Sequence, residues 1–215
     1  MKERPILFSA PMVRAILDGS KTQTRRVVKP RKDLNFGVPL ASHELAGEVN
    51  DGDFTNSPYG QPGDRLWVRE TWQGPLFDAE DFEAYRESPD DFKTPDYCEY
   101  AADGGPRPEF MNEDDDLIQR WRPSIHMPRW ASRITLEVTG VRVERLNGIS
   151  EADARAEGVT IEERHTVDYC CGAHYPPSIR AFRDLWESIS GPGSWDANPW
   201  VWVVEFKRVD GAKGA

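Results

Sequence analysis

Gly19-Ser20-Lys21-Thr22-Gln23-Thr24-Arg25-Arg26 is the stretch on which the reading of the chain turns. Just upstream, Ile6-Leu7-Phe8-Ser9 has a continuous apolar core and reads as a short buried strand. Pro11 then occupies a favoured first helical position. Met12, Val13, Ile16 and Leu17 recur at helical spacing, and Gly19 closes that helix as its C-cap. Lys21 and Thr24 are therefore expected in a polar loop just beyond a helix C-terminus, where the free carbonyls favour cations. Lys21 is a compact cation whose pKa falls on desolvation. Thr24 offers a hydroxyl that an adjacent base can activate. Arg25 and Arg26 present planar forks that match a phosphate or a base edge. The plainer alternative is a solvated basic turn closing a helix. The pairing of two threonines with the lysine argues against it.

Working outward, residues 29–62 carry Pro30, Pro39, Pro58 and Pro62 among Gly, Asn and Asp, and read as an irregular excursion. Pro62-Gly63-Asp64 marks a turn. Residues 65–72 alternate and are β-rich, with Leu66, Val68 and Glu70 on one face and Trp67, Arg69 and Thr71 on the other. Glu70, at the end of an apolar row, is either a strand-exit carboxylate in water or a carboxylate at the mouth of a barrel. Residues 74–117 form an acidic, Pro-rich insertion, read as a lid, an interaction surface or a partly disordered segment, with a strand at 98–102. The scarcity of aromatics in its acidic part favours mobility. Arg120-Trp121-Arg122-Pro123 and Met127-Pro128-Arg129-Trp130 interleave cations with Trp. That pattern suits a base stacked beside a cation-lined backbone track, or equally a core Trp with Arg stems over it.

The longest strand pattern spans 133–146, with Gly140 as a bend or bulge. Ser150 is the N-cap of a short helix that Gly158 stops, with Asp153 at the position of a capping-box carboxylate. A second insertion covers 159–177. Residues 179–189 form an amphipathic helix with a core stripe of Ile179, Phe182, Leu185, Trp186 and Ile189. Trp195 and Asn198 lie in the next loop, and 200–209 is a nearly continuous apolar closing strand.

Composition bounds the function. The chain has 215 residues, 38% hydrophobic and 11% aromatic, with 8 Trp, enough for one cored domain. A net charge of −10 makes a poor non-specific nucleic-acid binder, so any such role must rest on local basic patches or a small nucleoside ligand. Three cysteines, two of them adjacent, make no disulfide framework and point to a reducing cytoplasm. No signal peptide and no membrane-length apolar run is evident. Cys170, Cys171, His174 and His165 are the one group with metal-ligand chemistry. Adjacent cysteines rarely reach one ion together, and no C-x-x-C pair exists, so neither metal nor cofactor is expected.

Several stretches together resemble the ASCH family of the PUA-like superfamily, most closely its larger phage-associated members. They are Gly19 to Arg26 against the G-x-K-T-x-T-x-R signature, Gly63-Asp64 through Val68-Arg69-Glu70-Thr71-Trp72, and Ile125 to Arg133. The Ser150 to Gly158 helix and Asn198-Pro199-Trp200-Val201 complete the set. The resemblance implies one α+β domain over 1–215: a PUA-like mixed β-barrel with flanking short helices and two insertions. It implies RNA or a modified nucleoside as ligand. One branch of the family comprises amidohydrolases that deacetylate N4-acetylcytidine with a Lys, a Thr and a later Glu. By that likeness Lys21 is the base, Thr24 the nucleophile, and Glu157 the group that activates water. Arg26 or backbone amides would then hold the oxyanion. Arg25, Arg26, Arg69, Glu70, Trp121, Arg129, Trp130 and Asn198 are the candidate substrate-binding residues.

Three readings follow. The first is an amidohydrolase of acylated nucleosides, with ribonuclease as the weaker enzyme reading. The second is a non-catalytic module that binds RNA or a modified base. The third is a scaffold whose acidic insertion takes a protein partner. No membrane partner is expected.

Overall fold

The computed structural model describes residues 1–111, 116–166 and 175–209. In chain order the elements are β1 (Glu3–Leu7), α1 (Ala10–Leu17), β2 (Gln23–Val27), β3 (Arg31–Lys32), β4 (Pro39–Leu40), α2 (Ser42–Asn50) and β5 (Arg65–Arg69). Next come β6 (Trp72–Gln73), α3 (Phe82–Glu87), β7 (Glu99–Tyr100), β8 (Glu109–Met111), β9 (Leu117–Gln119) and β10 (Thr135–Arg145). The chain continues with α4 (Glu151–Ala156), α5 (Glu163–Thr166), α6 (Pro177–Ser190) and β11 (Trp200–Val209). The fold is mixed α+β. Its main sheet has five strands in the order β1-β5-β10-β11-β2, with β1 parallel to β5 and β2 antiparallel to β11.

The described residues group into two compact units. The first comprises residues 1–2, 15–64 and 137–207. Here β11 is buried over most of its length, and its backbone needs partners in the sheet. Residues 23–27 supply one edge, so the expected polar loop is a strand from Gln23 onward. Cross-strand pairing decides this, and it has no local sequence signal. Leu146, Ile149, Ala154, Ile179, Phe182, Trp186, Trp195, Val201 and Val203 form the core that seats α4 and α6 on one face of β11. In α6 the expected stripe holds at Ile179, Phe182 and Trp186, whereas Ile189 is exposed. The excursion at 29–62 contains a helix that the sequence reading does not place: α2 buries Leu45, Ala46 and Val49. Its first turn is closed by Glu44, which accepts from the Ala41 N–H. Strand β10 runs straight through Gly140, where a Cβ would lie 2.9 Å from the Glu205 carboxylate, so the glycine serves close approach rather than a bend.

Of the described residues, the second unit takes those within 3–14, 65–136 and 208–209. The strand expected over 65–72 stops at Arg69, and Trp72–Gln73 pairs instead with Glu99–Tyr100. Trp72, Tyr100, Met127 and Ala131 form its small core, with Trp130 and Cys98 packed on it. The front of the 74–117 insertion is built around its own aromatic cluster: Phe77 stacks on Tyr85 at 4.3 Å, and Phe92 meets Phe77, Tyr85 and Tyr97. Those rings give the front of the insertion a packed cluster of its own. Within this insertion, Asp114 and Asp115 lie outside the described residues.

Among the described residues no helix is long and apolar enough to cross a membrane.

Candidate active site

In the first unit, α4 ends against the segment that leads into β2. Ser150 caps α4 by accepting from the Asp153 N–H at 3.1 Å, as its sequence position implies. At the other end the backbone of Thr22 donates to Ala156 O at 2.8 Å, and Lys21 and Glu157 form a β-bridge. Gly158 then turns away at φ +74°. A Cβ there would stand 2.8 Å from the Lys21 Cβ and 3.0 Å from that of Ala15. Only glycine takes that backbone angle without strain and also lets the lysine pass so closely.

Lys21 is 2% exposed and Glu157 4%. The Lys21 Nζ donates to Glu157 Oε2 and to Glu157 O, each at 2.8 Å. The lysine therefore closes the C-terminal end of α4, where the helix presents unpaired carbonyls. Burial lowers the Lys21 pKa, Glu157 opposes that shift, and the nearby Arg26 and Arg25 add to it.

Side chains alternate along a strand, so Gln23 and Arg25 share one face of β2. Both reach the Glu157 side. Arg25 Nη2 lies 2.8 Å from Glu144 and 3.3 Å from Asp153, and Nη1 lies 3.4 Å from Glu157 Oε1 and also bonds Gln23. Gln23 donates to Asp153 at 3.0 Å. Arg142 bonds Glu144 and Asp153 at 3.1 and 3.0 Å, and pairs with Glu205. Three cations thus interlock with four carboxylates. Burial pushes Asp153 up, but hydrogen bonds from Gln23 and Ser150 and the charges of Arg142 and Arg25 outweigh it and hold its carboxyl at about 2.

Of the sequence candidates, Lys21, Glu157 and Arg25 come together here. Thr24 is 2% exposed and pairs with Val204 in β11. Alternation puts it on the other face of β2 with Arg26, across the strand from Gln23 and Arg25. The sequence reading did not pick out Gln23, Arg142, Glu144 or Glu205, and it read Asp153 only as a capping-box carboxylate. Their signal is a period of two, Lys21-x-Gln23-x-Arg25 and Arg142-x-Glu144, legible only once both segments are known to be strands. Asn198 has φ +43° and accepts from the Asn147 N–H at 2.9 Å, tying the entry of β11 to the end of β10.

The remaining candidates lie in the second unit. Glu70 is 1% exposed and receives both arms of the Arg133 fork at 3.0 and 3.1 Å. The same guanidinium makes two bonds to Asp103 at 2.8 and 2.9 Å and lies 3.9 Å from the Tyr100 ring centroid. Burial raises the Glu70 pKa, against the pull of Arg133. The Arg and Trp side chains are largely turned on one another. Arg69 and Arg129 lie over Trp67 at 4.7 and 5.9 Å, Arg129 also pairs with Glu3, and Trp130 packs edge-on against Trp72 at 5.5 Å. Trp121 is half-buried.

Cys170, Cys171 and His174 lie outside the described residues. His165 is 5% exposed, accepts from the Glu162 N–H through Nδ1, and faces Asp184 through Nε2 at 3.2 Å. Comparison of the chain with protein-family models, curated proteins and solved structures returns no match.

Proposed function

We propose that this chain is an ASCH-type, PUA-like protein of the cytoplasm that acts on RNA or a modified nucleoside, and that it hydrolyses an amide on an acylated base. Closure of the sheet as a PUA-like barrel belongs to the same proposal. One observation carries the chemistry: the desolvated Lys21 held 2.8 Å from the buried Glu157. A lysine with a lowered pKa can take a proton from a nucleophile. The nucleophile bonds to the acyl carbon, and its proton passes to the Lys21 amine. The carbon–nitrogen bond then breaks, and the ammonium returns the proton to the departing nitrogen. Glu157 holds the ammonium in place between these steps. For N4-acetylcytidine the products are acetate and cytidine. If Thr24 attacks first, its hydroxyl must cross to the Lys21 side of β2, and a water activated by Glu157 must then hydrolyse the acetyl ester on Thr24 to release acetate; direct attack by water needs neither step.

A second reading, a module that binds without turnover, is favoured by one observation. The Lys21 ammonium is engaged by two acceptors of Glu157 while Thr24 sits with Arg26. Acetate release from N4-acetylcytidine separates the readings. Turnover that is lost in Lys21→Gln and Glu157→Gln, with both variants folded, supports the hydrolase. Tight binding without turnover in the unsubstituted protein supports the binder. If Thr24→Ala stays active while Lys21→Gln does not, water is the nucleophile.

A further inference from the structure

The other face of β2 carries an arrangement for which the amide chemistry has no use. Arg26 is directly opposite Trp202 in the β2–β11 register, and directly opposed residues of an antiparallel pair share a face. Trp202 is 1% exposed. The Arg31 guanidinium lies over its ring at 5.4 Å, and Tyr59 meets the same ring edge-on at 6.0 Å. One guanidinium and a phenol therefore lie against one indole, with Arg26 opposite it in the strand register and Thr24 two residues before Arg26 on the same face.

The charge of Arg31 is not balanced in the way that of Arg25 is across the strand. Arg25 touches three carboxylates. Among the described residues Arg31 makes no ion pair, and its Nε is buried without a hydrogen-bond partner. Burial lowers the Arg31 pKa, opposed only by Tyr59. Burial raises the Tyr59 pKa, and Arg26 and Arg31 pull it back. A half-buried guanidinium with an unsatisfied donor is a costly arrangement in isolation. An anion with several acceptor oxygens would balance the guanidinium charge that no carboxylate meets, and the planar fork favours phosphate. The indole beneath Arg31 fixes the plane of the fork, so little freedom is lost on binding.

We infer that Arg31, with Arg26 and the Tyr59 hydroxyl, forms a phosphate-binding subsite on the Trp202 face of β2 and β11. This subsite takes the phosphate of a nucleotide or of an RNA chain. The identity of the anion as nucleotide phosphate rests on the proposed function; the existence of the subsite does not. The two sources share one chemistry and differ in length, so they are separable by experiment.

The test is calorimetric titration at low salt with cytidine, cytidine 5′-monophosphate and hexacytidylate, on the unsubstituted protein and on Arg31→Gln. The monophosphate is expected to bind at least about tenfold tighter than cytidine, the gain of one charge-assisted hydrogen bond. That preference should weaken with added salt and vanish in Arg31→Gln, while cytidine affinity is unchanged. A hexamer that binds much tighter than the monophosphate identifies an RNA chain as the source; equal affinities identify a free nucleotide. Equal affinity for cytidine and its monophosphate in the unsubstituted protein overturns the subsite, as does no binding of the two phosphate compounds and of inorganic phosphate titrated alongside them. That comparison holds even if Arg31→Gln fails to fold. Acetate release without a phosphate preference removes only the subsite. A phosphate preference without acetate release removes only the hydrolase.

Discussion

Glu157 in the first unit and Glu70 in the second are both nearly inaccessible carboxylates held by a cation at about the same distance, yet they are different devices. Glu70 faces Arg133, whose fork donates four hydrogen bonds to two carboxylates and whose plane rests on Tyr100. A guanidinium does not lose its proton in a protein. That cluster can only hold together the exit of β5, the turn at Ala101–Asp103 and the approach to β10. Glu157 faces Lys21, whose proton is loosened by burial. A buried carboxylate beside an arginine faces a proton that stays in place; beside a lysine it faces one that desolvation can loosen. The identity of the cation, not the burial of the acid, separates the two.

The largest expected effect tests that distinction directly. Lys21→Arg keeps the charge beside Glu157 but removes the exchangeable proton, so acetate release should fall by about 10²- to 10⁴-fold. Arg133→Lys should leave turnover within about twofold, because the pin has no proton to give. Equal losses in both would break the comparison.

Next in size is the stability cost of emptying each cluster. Arg133→Met leaves Glu70 buried without its partner and should cost about 3 kcal/mol at neutral pH by denaturant unfolding. The cost should shrink as pH falls, since Glu70 can then take up a proton. Lys21→Met should cost a similar amount, about 3 kcal/mol. Here the structure corrects the sequence reading, in which Lys21 lies in a polar loop: it is buried. A buried lysine closing a helix and pairing with Glu157 cannot be removed so lightly.

Gly158→Ala should cost about 1–3 kcal/mol, from the positive φ and from the approach of the Lys21 Cβ. It should also lower turnover by displacing Lys21, whereas a glycine needed only to end α4 would change stability alone. Smallest is the acid limb. Asp153 has a folded pKa of about 2, below its usual 3.8. Its contribution is therefore present above about pH 4 and is lost as pH falls towards 2. Asp153→Asn should lower stability by a constant amount above about pH 4, pH 7 to 9 included, and flatten the stability profile as pH falls from there towards 2.

Much of this was legible in the sequence wherever the signal was local. Helices α1, α4 and α6 follow from apolar spacing, from Ser150 and from Gly158; strands β10 and β11 follow from long β-rich runs. Lys21 and Glu157 were named together through the motif resemblance. What was not legible is what the sheet brings together. Gln23 to Val27 has no strand pattern of its own, and its state is decided by β11, far along the chain. Once it is a strand, Lys21, Gln23 and Arg25 acquire Asp153, Glu144 and Arg142 as partners, and Thr24 turns the other way with Arg26. The Glu70–Arg133–Asp103 cluster was hidden for the same reason: three segments meet there, and none of them announces the other two. The Arg–Trp interleaving was legible as a pattern, but the pattern alone does not say that the arginines would cover the rings themselves.

The central claim is that Lys21, unlike Arg133, sits where its proton can leave. Following the Lys21 Nζ and Cε resonances by NMR from pH 6 to 11 in the folded protein tests it without any substrate. The account predicts a midpoint below the ordinary 10.5, with a further fall when Glu157 is changed to Gln, because Glu157 is what opposes the effect of burial. A midpoint at or above 10.5 would mean that the ion pair outweighs desolvation, and that Lys21–Glu157 is a second structural pin.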